Sequence, residues 1–261
     1  MLMWYQVRQV KGLELTVLGC HAPYAPADGA CNGYLLQAGG VNIMLDCGNG
    51  SFAVLQKHLD FRKLHALIIS HYHPDHFHDY HCVRHAIGGS IRDGSRQNPL
   101  LVYAPGAETG PWNEMAKWQD EFILIPIEEY QRVPASLGDL VFHFQKNKHP
   151  KDCFSMNFIE GNAKFVYTSD TSWYGPLVEF AWGADFLLCE ASLRNADMAL
   201  SEEKGHLTAG QAGRLAAKAE VKHLMLTHLW PEFPPYVLLR EAQSVFAGKV
   251  SLATTGLKIS I

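Results

Sequence analysis

Apolar and polar positions along this chain keep changing period, which predicts short strands interleaved with helices. Leu13 to Leu18 alternates around Glu14 and Thr16 and reads as a strand. Gly33 to Gln37 and Val41 to Leu45, separated by Gly39-Gly40, form a hairpin pattern. Ser51 stands where an N-cap would open a short helix running to about Leu59. Leu64 to Ser70 is a further strand, and it delivers the chain directly into His71.

The same grammar continues downstream. Strands are predicted at Leu100 to Tyr103, Phe122 to Ile127 and Val141 to Phe144, with a helix over Pro111 to Gln119. Cys153 to Ile159 and Ala163 to Thr168 flank Glu160-Gly161-Asn162 as a second hairpin. Phe186 to Cys189 and Leu224 to Thr227 are apolar strands around a small-residue helix over Thr208 to Ala219. A helix from about Pro235 to Phe246 and a strand at Leu257 to Ile261 close the chain. Strands clustered early and then mixed with helices predict an α/β sandwich, two sheets covered by helices, in a single domain spanning residues 1–261.

Composition narrows the function classes. With 48% hydrophobic and 18% charged residues the chain is an ordinary globular sequence, and 261 residues can build one large core. A net charge of −4 supplies no basic field for nucleic acid, so large structured RNA is not an expected partner. The six cysteines contain no C-x-x-C pair, which points to a reduced, cytoplasmic setting. Met1 to Arg8 lacks the basic and apolar regions of an export signal. No apolar run reaches the ~20 residues needed to span a bilayer, so no membrane partner is expected.

Histidine is the exception to this ordinary composition. There are fourteen, and five lie between His71 and His81. The run His71-Tyr72-His73-Pro74-Asp75-His76 follows a buried strand, so its loop is anchored. A turn through Pro74 can send His71 and His73 toward one metal and Asp75 and His76 toward another. Imidazole and carboxylate are the donors of catalytic zinc, and two ions ~3.5–4 Å apart can share a hydroxide nucleophile. Four potential ligands in six residues outweigh the bland reading of a polar loop.

The run resembles the hallmark motif of the metallo-β-lactamase superfamily, and the similarity extends over the chain. Asp46 in Ile43-Met44-Leu45-Asp46-Cys47-Gly48 is similar to the family's early aspartate motif. His149 in Lys148-His149-Pro150, Asp170 after Val166-Tyr167-Thr168-Ser169, and His228 after Leu224-Met225-Leu226-Thr227 follow in the family's order. The resemblance implies a four-layer αβ/βα sandwich. It assigns His71, His73 and His149 to one zinc and Asp75, His76 and His228 to another, with Asp170 bridging. Asp46 would support the ligands from behind. Histidine at position 73, where di-iron relatives carry a carboxylate, favours zinc over manganese or iron.

Two segments resemble the tRNase Z branch. Leu187-Leu188-Cys189-Glu190-Ala191-Ser192 is similar to its His-Glu-Ala-Thr strand end, with cysteine and serine as replacements. Gly205-His206-Leu207-Thr208 is similar to its His-Ser-Thr motif. The resemblance implies that Glu190 orients His206 as a general acid for an alkoxide leaving group. The competing reading makes His206 a mere helix-start residue, with Thr208 as the cap.

Departures from that branch limit the substrate. One short hairpin fills the interval from His149 to Asp170, leaving no room for a tRNA-clamping arm. Lys146, Lys148 and Lys151 read as a solvated loop. His78, His81 and His85 fall at helical spacing and read as core or subunit-contact residues; a homodimer is compatible with this. The expected activity is therefore a zinc phosphodiesterase on a small phosphodiester, a cyclic nucleotide or short oligonucleotide. A zinc ester, thioester or lactone hydrolase is the first alternative, and a non-catalytic metal-bound scaffold or carrier the second.

Overall fold

The computed structural model describes residues 12–261; the segment Met1 to Arg8, read above for an export signal, lies outside the described residues. Six strands open the chain: β1 (Glu14–Gly19), β2 (Gly33–Ala38), β3 (Val41–Cys47), β4 (Ala66–Ile68), β5 (Leu100–Ala104) and β6 (Phe122–Pro126). Seven follow: β7 (Ala135–Leu137), β8 (Leu140–Lys146), β9 (Phe154–Glu160), β10 (Ala163–Tyr167), β11 (Phe186–Glu190), β12 (His223–Thr227) and β13 (Lys249–Leu252). The last strand, β14 (Lys258–Ser260), returns to the first sheet, giving two seven-stranded sheets ordered β14-β1-β2-β3-β4-β5-β6 and β13-β12-β11-β10-β9-β8-β7.

Each sheet is antiparallel in one half and parallel in the other. Strands β14 to β3 pair antiparallel and β3 to β6 parallel; β7 to β10 pair antiparallel and β10 to β13 parallel. The parallel halves need crossovers, which the helices supply: α1 (Ser51–Leu55), α2 (Pro74–Phe77), α3 (Tyr80–Arg92), α4 (Thr109–Met115), α5 (Pro176–Ala181), α6 (Ser201–Lys204), α7 (Ala209–Lys218) and α8 (Pro235–Gln243).

Strand residues are apolar on both faces because both faces are buried. On β3, Ile43 and Leu45 enter the core between the sheets while Met44 and Cys47 face the helices. On β11, Phe186 and Leu188 face the inter-sheet core while Leu187 and Cys189 face α5 and α7. Three apolar clusters result: one between the sheets, one under α1, α3 and α4, and one under α5, α7 and α8. Two sheets between two helix layers make the four-layer αβ/βα sandwich of the metallo-β-lactamase fold. Among the described residues, no helix is long and apolar enough to cross a membrane.

Several local expectations change. Ser51 is the first residue of α1, not its cap; Gly50 occupies that position at φ 85°, and Ser51 Oγ donates to the Gly48 carbonyl at 2.7 Å. The helix also ends at Leu55, short of Leu59. The strand expected over Leu64 to Ser70 is regular only at Ala66–Ile68; beyond it the Ser70 N–H turns to the Asp46 carboxylate at 2.7 Å. His78, His81 and His85 are not core residues: all three are exposed, and His78 lies at the end of α2 rather than on α3. By contrast, α7 opens on Thr208 with a full capping box, Thr208 Oγ1 accepting from Gln211 N–H and the Gln211 side chain from Thr208 N–H.

Candidate active site

Parallel strands end together at one rim of each sheet, and open α/β sheets place ligands at such carboxyl ends. From the first sheet come Asp46 on β3 and the run His71 to His76 after β4; from the second come Asp170 after β10, Glu190 at the end of β11 and His228 after β12. His149 reaches in from the β8–β9 connection and His206 from the turn before α7. Three of the backbone positions are left-handed although none is glycine: Asp46 (φ 54°), Ser169 (φ 49°) and His228 (φ 57°). Such residues cost of order 1–3 kcal/mol each, and strain of this kind collects at functional sites.

Ligand atoms of His71, His73, His149 and Asp170 all lie within 4.8 Å of one another, as do those of Asp75, His76 and His228. The ring nitrogens of these residues crowd together at hydrogen-bonding distance. His149 Nδ1 donates to the Gly205 carbonyl at 3.0 Å, so Nε2 carries a lone pair, yet it faces His73 Nδ1 at 3.3 Å. His71 Nε2 faces the same His73 nitrogen at 3.1 Å. On the other side, His76 Nδ1 donates to Asp46 Oδ2 at 2.7 Å, and its Nε2 sits 3.2 Å from Asp170 Oδ1. His228 Nε2 lies 3.1 Å from Asp170 Oδ1 and 3.2 Å from Asp75 Oδ2.

Asp170 itself provides the test of fit. It is buried, and neither of its carboxylate oxygens makes a hydrogen bond among the described residues, although imidazole nitrogens stand 3.1–3.4 Å away. A buried carboxylate without hydrogen-bond partners is costly. Ring nitrogens of five imidazoles and the carboxylates of two aspartates converging on shared points suit divalent cations, with nitrogen and oxygen donors typical of zinc. Without metal, the carboxylates reshape the imidazoles. Burial pushes His76 and His228 down, but the neighbouring carboxylates outweigh it, Asp170 foremost: His76 ends well above its ordinary value and His228 rises to about 10. Burial holds His71 well below its ordinary value, reinforced by charge on His76.

Glu190 Oε1 takes the Thr171 N–H at 2.7 Å and His206 Nδ1 at 3.1 Å. Burial opposes charge on His206, but this carboxylate prevails and raises it. With Nδ1 occupied, His206 has Nε2 as its free nitrogen. Above the site lies a cavity of about 520 Å³ lined by His73, Asp75, Asp170, His206 and His228 and walled by Pro23, Leu193, Leu200 and Trp230. A volume of this size suits one small molecule. The lysines expected to be solvated are exposed, and each also pairs with an acid: Lys146 with Asp152, Lys148 with Glu202 and Lys151 with Glu108.

The family profile described as "Beta-lactamase superfamily domain" matches residues 41–229. The chain belongs to the metallo-β-lactamase superfamily. Within that superfamily it is similar to the probable metallo-hydrolase YhfI of Bacillus subtilis (strain 168), 31% identical over 248 residues that cover 94% of this chain and 98% of YhfI. The crystal structure of YhfI aligns at a TM-score of 0.91 with 29% identity, covering 96% of this chain and all 100% of that one. Ribonuclease Z of Bradyrhizobium sp. (strain ORS 278) is 26% identical over 289 residues, 89% of this chain and 95% of the relative. Human tRNase Z, short form, shares the fold at a TM-score of 0.74 and 24% identity, covering 95% and 99% of the two chains. This metallo-β-lactamase family member is a metal-dependent hydrolase.

All the residues singled out in the sequence converge on one site: His71, His73, Asp75, His76, His149, Asp170 and His228, with Asp46 behind them and Glu190 and His206 beside them. Sequence reasoning missed Ser70, Tyr167 and Ser192. Ser70 and Tyr167 both donate to Asp46 Oδ2, at 3.0 and 2.8 Å. Ser192 lies between Glu190 and His228. Its signal is its place in the Cys-Glu-Ala-Ser segment, two residues after Glu190.

Proposed function

We propose that this hydrolase binds two zinc ions and cleaves a small phosphodiester, a cyclic nucleotide or short oligonucleotide, with His206 as the proton donor. His71, His73 and His149 would hold one ion, Asp75, His76 and His228 the other, and Asp170 both. Bound there, the ions supply activation of the attacking water and neutralisation of phosphoryl charge. The chain's own residues do the rest. Asp46 keeps the His76 proton on Nδ1, and Asp75 completes the second donor set at the floor of the cleft. Glu190 holds His206 by Nδ1, leaving Nε2 to carry a proton to the departing alkoxide.

The observation carrying this reading is the half-buried His206, held by the buried Glu190 at 3.1 Å beside both donor clusters. An ester with a good leaving group needs no such acid. The names of the relatives point the same way, since ribonuclease Z and tRNase Z act on phosphodiesters. The size of the cleft favours a small substrate. Turnover of bis(p-nitrophenyl) phosphate by zinc- or manganese-loaded protein tests the proposal; a fully metallated protein with no turnover refutes it.

One observation favours a second reading. Leu193, Leu200, Trp230 and Pro23 give the cleft apolar walls suited to the acyl or alcohol part of an ester, thioester or lactone. That reading expects aryl-ester turnover indifferent to replacement of His206.

A further inference from the structure

His228 presents a problem of orientation. It follows β12 in a left-handed conformation, φ 57°, so regular backbone does not set its ring. Its Nε2 must nevertheless face Asp75 and Asp170, at 3.2 and 3.1 Å, with a lone pair rather than a proton if a metal is to sit there. What fixes the ring is its other nitrogen: Nδ1 lies 2.6 Å from Ser192 Oγ.

Counting donors and acceptors settles the direction of that bond. Ser192 Oγ also lies 2.7 Å from Glu190 Oε2. An ionised carboxylate only accepts, so the serine hydrogen goes to Glu190, and the serine oxygen is left to accept from His228 Nδ1–H. In the neutral ring Nε2 then carries the lone pair. The same glutamate, through Oε1, orients His206. Neighbouring backbone places Ser192 firmly: Ala191 N–H donates to the Thr227 carbonyl at 2.9 Å and Leu193 N–H to the Leu207 carbonyl at 3.2 Å. These bonds tie Ser192 to the residue before His228 and to the residue after His206.

We propose that Ser192 is a positioning residue, whose hydroxyl fixes His228 with Nδ1 protonated and Nε2 turned to the second metal position, tethered to the Glu190 carboxylate that also orients His206. The first sheet contains the same device. Ser70 Oγ donates to Asp46 Oδ2 at 3.0 Å and lies 3.0 Å from His71 Nδ1. A serine between a carboxylate and a ligand imidazole thus serves one histidine of each donor cluster.

The inference rests on the dinuclear reading above, and its test separates the two. Zinc is titrated into chelator-stripped wild type, Ser192→Thr and Ser192→Val against a chromophoric competitor. Thr and Val differ only by the hydroxyl, so shape is held constant. Losing the hydrogen bond that orients a ligand imidazole weakens metal binding roughly 10–100-fold. Ser192→Val is expected to weaken the second zinc by that factor and leave the first unchanged, while Ser192→Thr binds both as wild type does. In zinc-loaded protein the hydrogen-bonded His228 Nδ1–H proton resonance should persist in Ser192→Thr and vanish in Ser192→Val. Two zincs held by Ser192→Val with wild-type affinities and an unchanged resonance would overturn the role of Ser192 while leaving the dinuclear reading intact. Wild type that binds fewer than two zincs would overturn both.

Discussion

Asp46 Oδ2 stands 2.7 Å from His76 Nδ1, and it joins the two sheets at the site. The same oxygen takes Tyr167 Oη from β10 at 2.8 Å and Ser70 Oγ at 3.0 Å, while Oδ1 takes the Ser70 N–H at 2.7 Å. Asn tolerates the left-handed backbone at this position, so Asp46→Asn tests the carboxylate rather than the fold. Its amide cannot accept all of these donors. Metal affinity should fall roughly 10–100-fold, with a stability loss of about 1–3 kcal/mol from the donors left unpaired. Chelator competition and thermal unfolding measure the two; wild-type values in both would show that Asp46 has no supporting role.

Gly48 makes a separate contribution two residues later. A Cβ built there would lie 1.9 Å from the Asp75 carbonyl oxygen and 2.6 Å from its carbon. Backbone cannot retreat cheaply, so Gly48→Ala should displace the loop bearing Asp75 and His76. We expect a destabilisation in the range of about 1–3 kcal/mol typical of overpacking, together with selective weakening of the second metal. An alanine variant with unaltered zinc titration and unfolding midpoint would contradict this.

Much of this site was legible in the sequence because its ligands follow apolar strands whose ends are easily read. His71, Asp170 and His228 each come after such a run, and the resemblance supplied their grouping. Pattern could not show what holds the ligands. Ser70 and Ser192 act through hydrogen-bond direction, which no periodicity encodes. The left-handed conformations at Asp46, Ser169 and His228 were equally hidden, since none of these positions is glycine. His81 and His85 erred the other way: helical spacing was real, but it placed them on the solvent face of α3.

The proton-donor role of His206 makes a prediction about leaving groups. A donor matters when an alkoxide departs and matters little when p-nitrophenolate does. His206→Ala should lower kcat by roughly 10²–10⁴-fold for an alkyl-leaving phosphodiester, and much less for bis(p-nitrophenyl) phosphate, with zinc content unchanged. Glu190→Gln should show the same dependence on leaving group, because the glutamate positions the ring at 3.1 Å, and should also weaken the second zinc through Ser192, which it holds at 2.7 Å. Equal losses on both substrates would assign His206 to binding or structure instead.

Metal uptake should be coupled to protons, and the sign follows from the unmetallated site. Burial lowers His76 and His228, but Asp170 and the other carboxylates more than reverse this, leaving His76 well above its ordinary value and His228 at about 10. Asp170 is held well below the carboxylate range despite its burial, chiefly by His228, then His76, so it is already ionised. At pH 8 an incoming ion must therefore displace a proton from His228, and the upward shift of His76 adds to the release. Apparent zinc affinity should rise with pH until those groups are neutral, near 10 for His228. Without metal the sign is opposite: groups raised on folding contribute stability that is full below about 6.5 and is lost as pH rises through their folded values. Chelated protein should thus lose stability toward pH 10 while loaded protein does not. Zinc titration in weakly buffered solution with an indicator dye at pH 8, paired with melts of both forms, would measure the effect; uptake without acidification would mean these imidazoles are neutral before metal arrives.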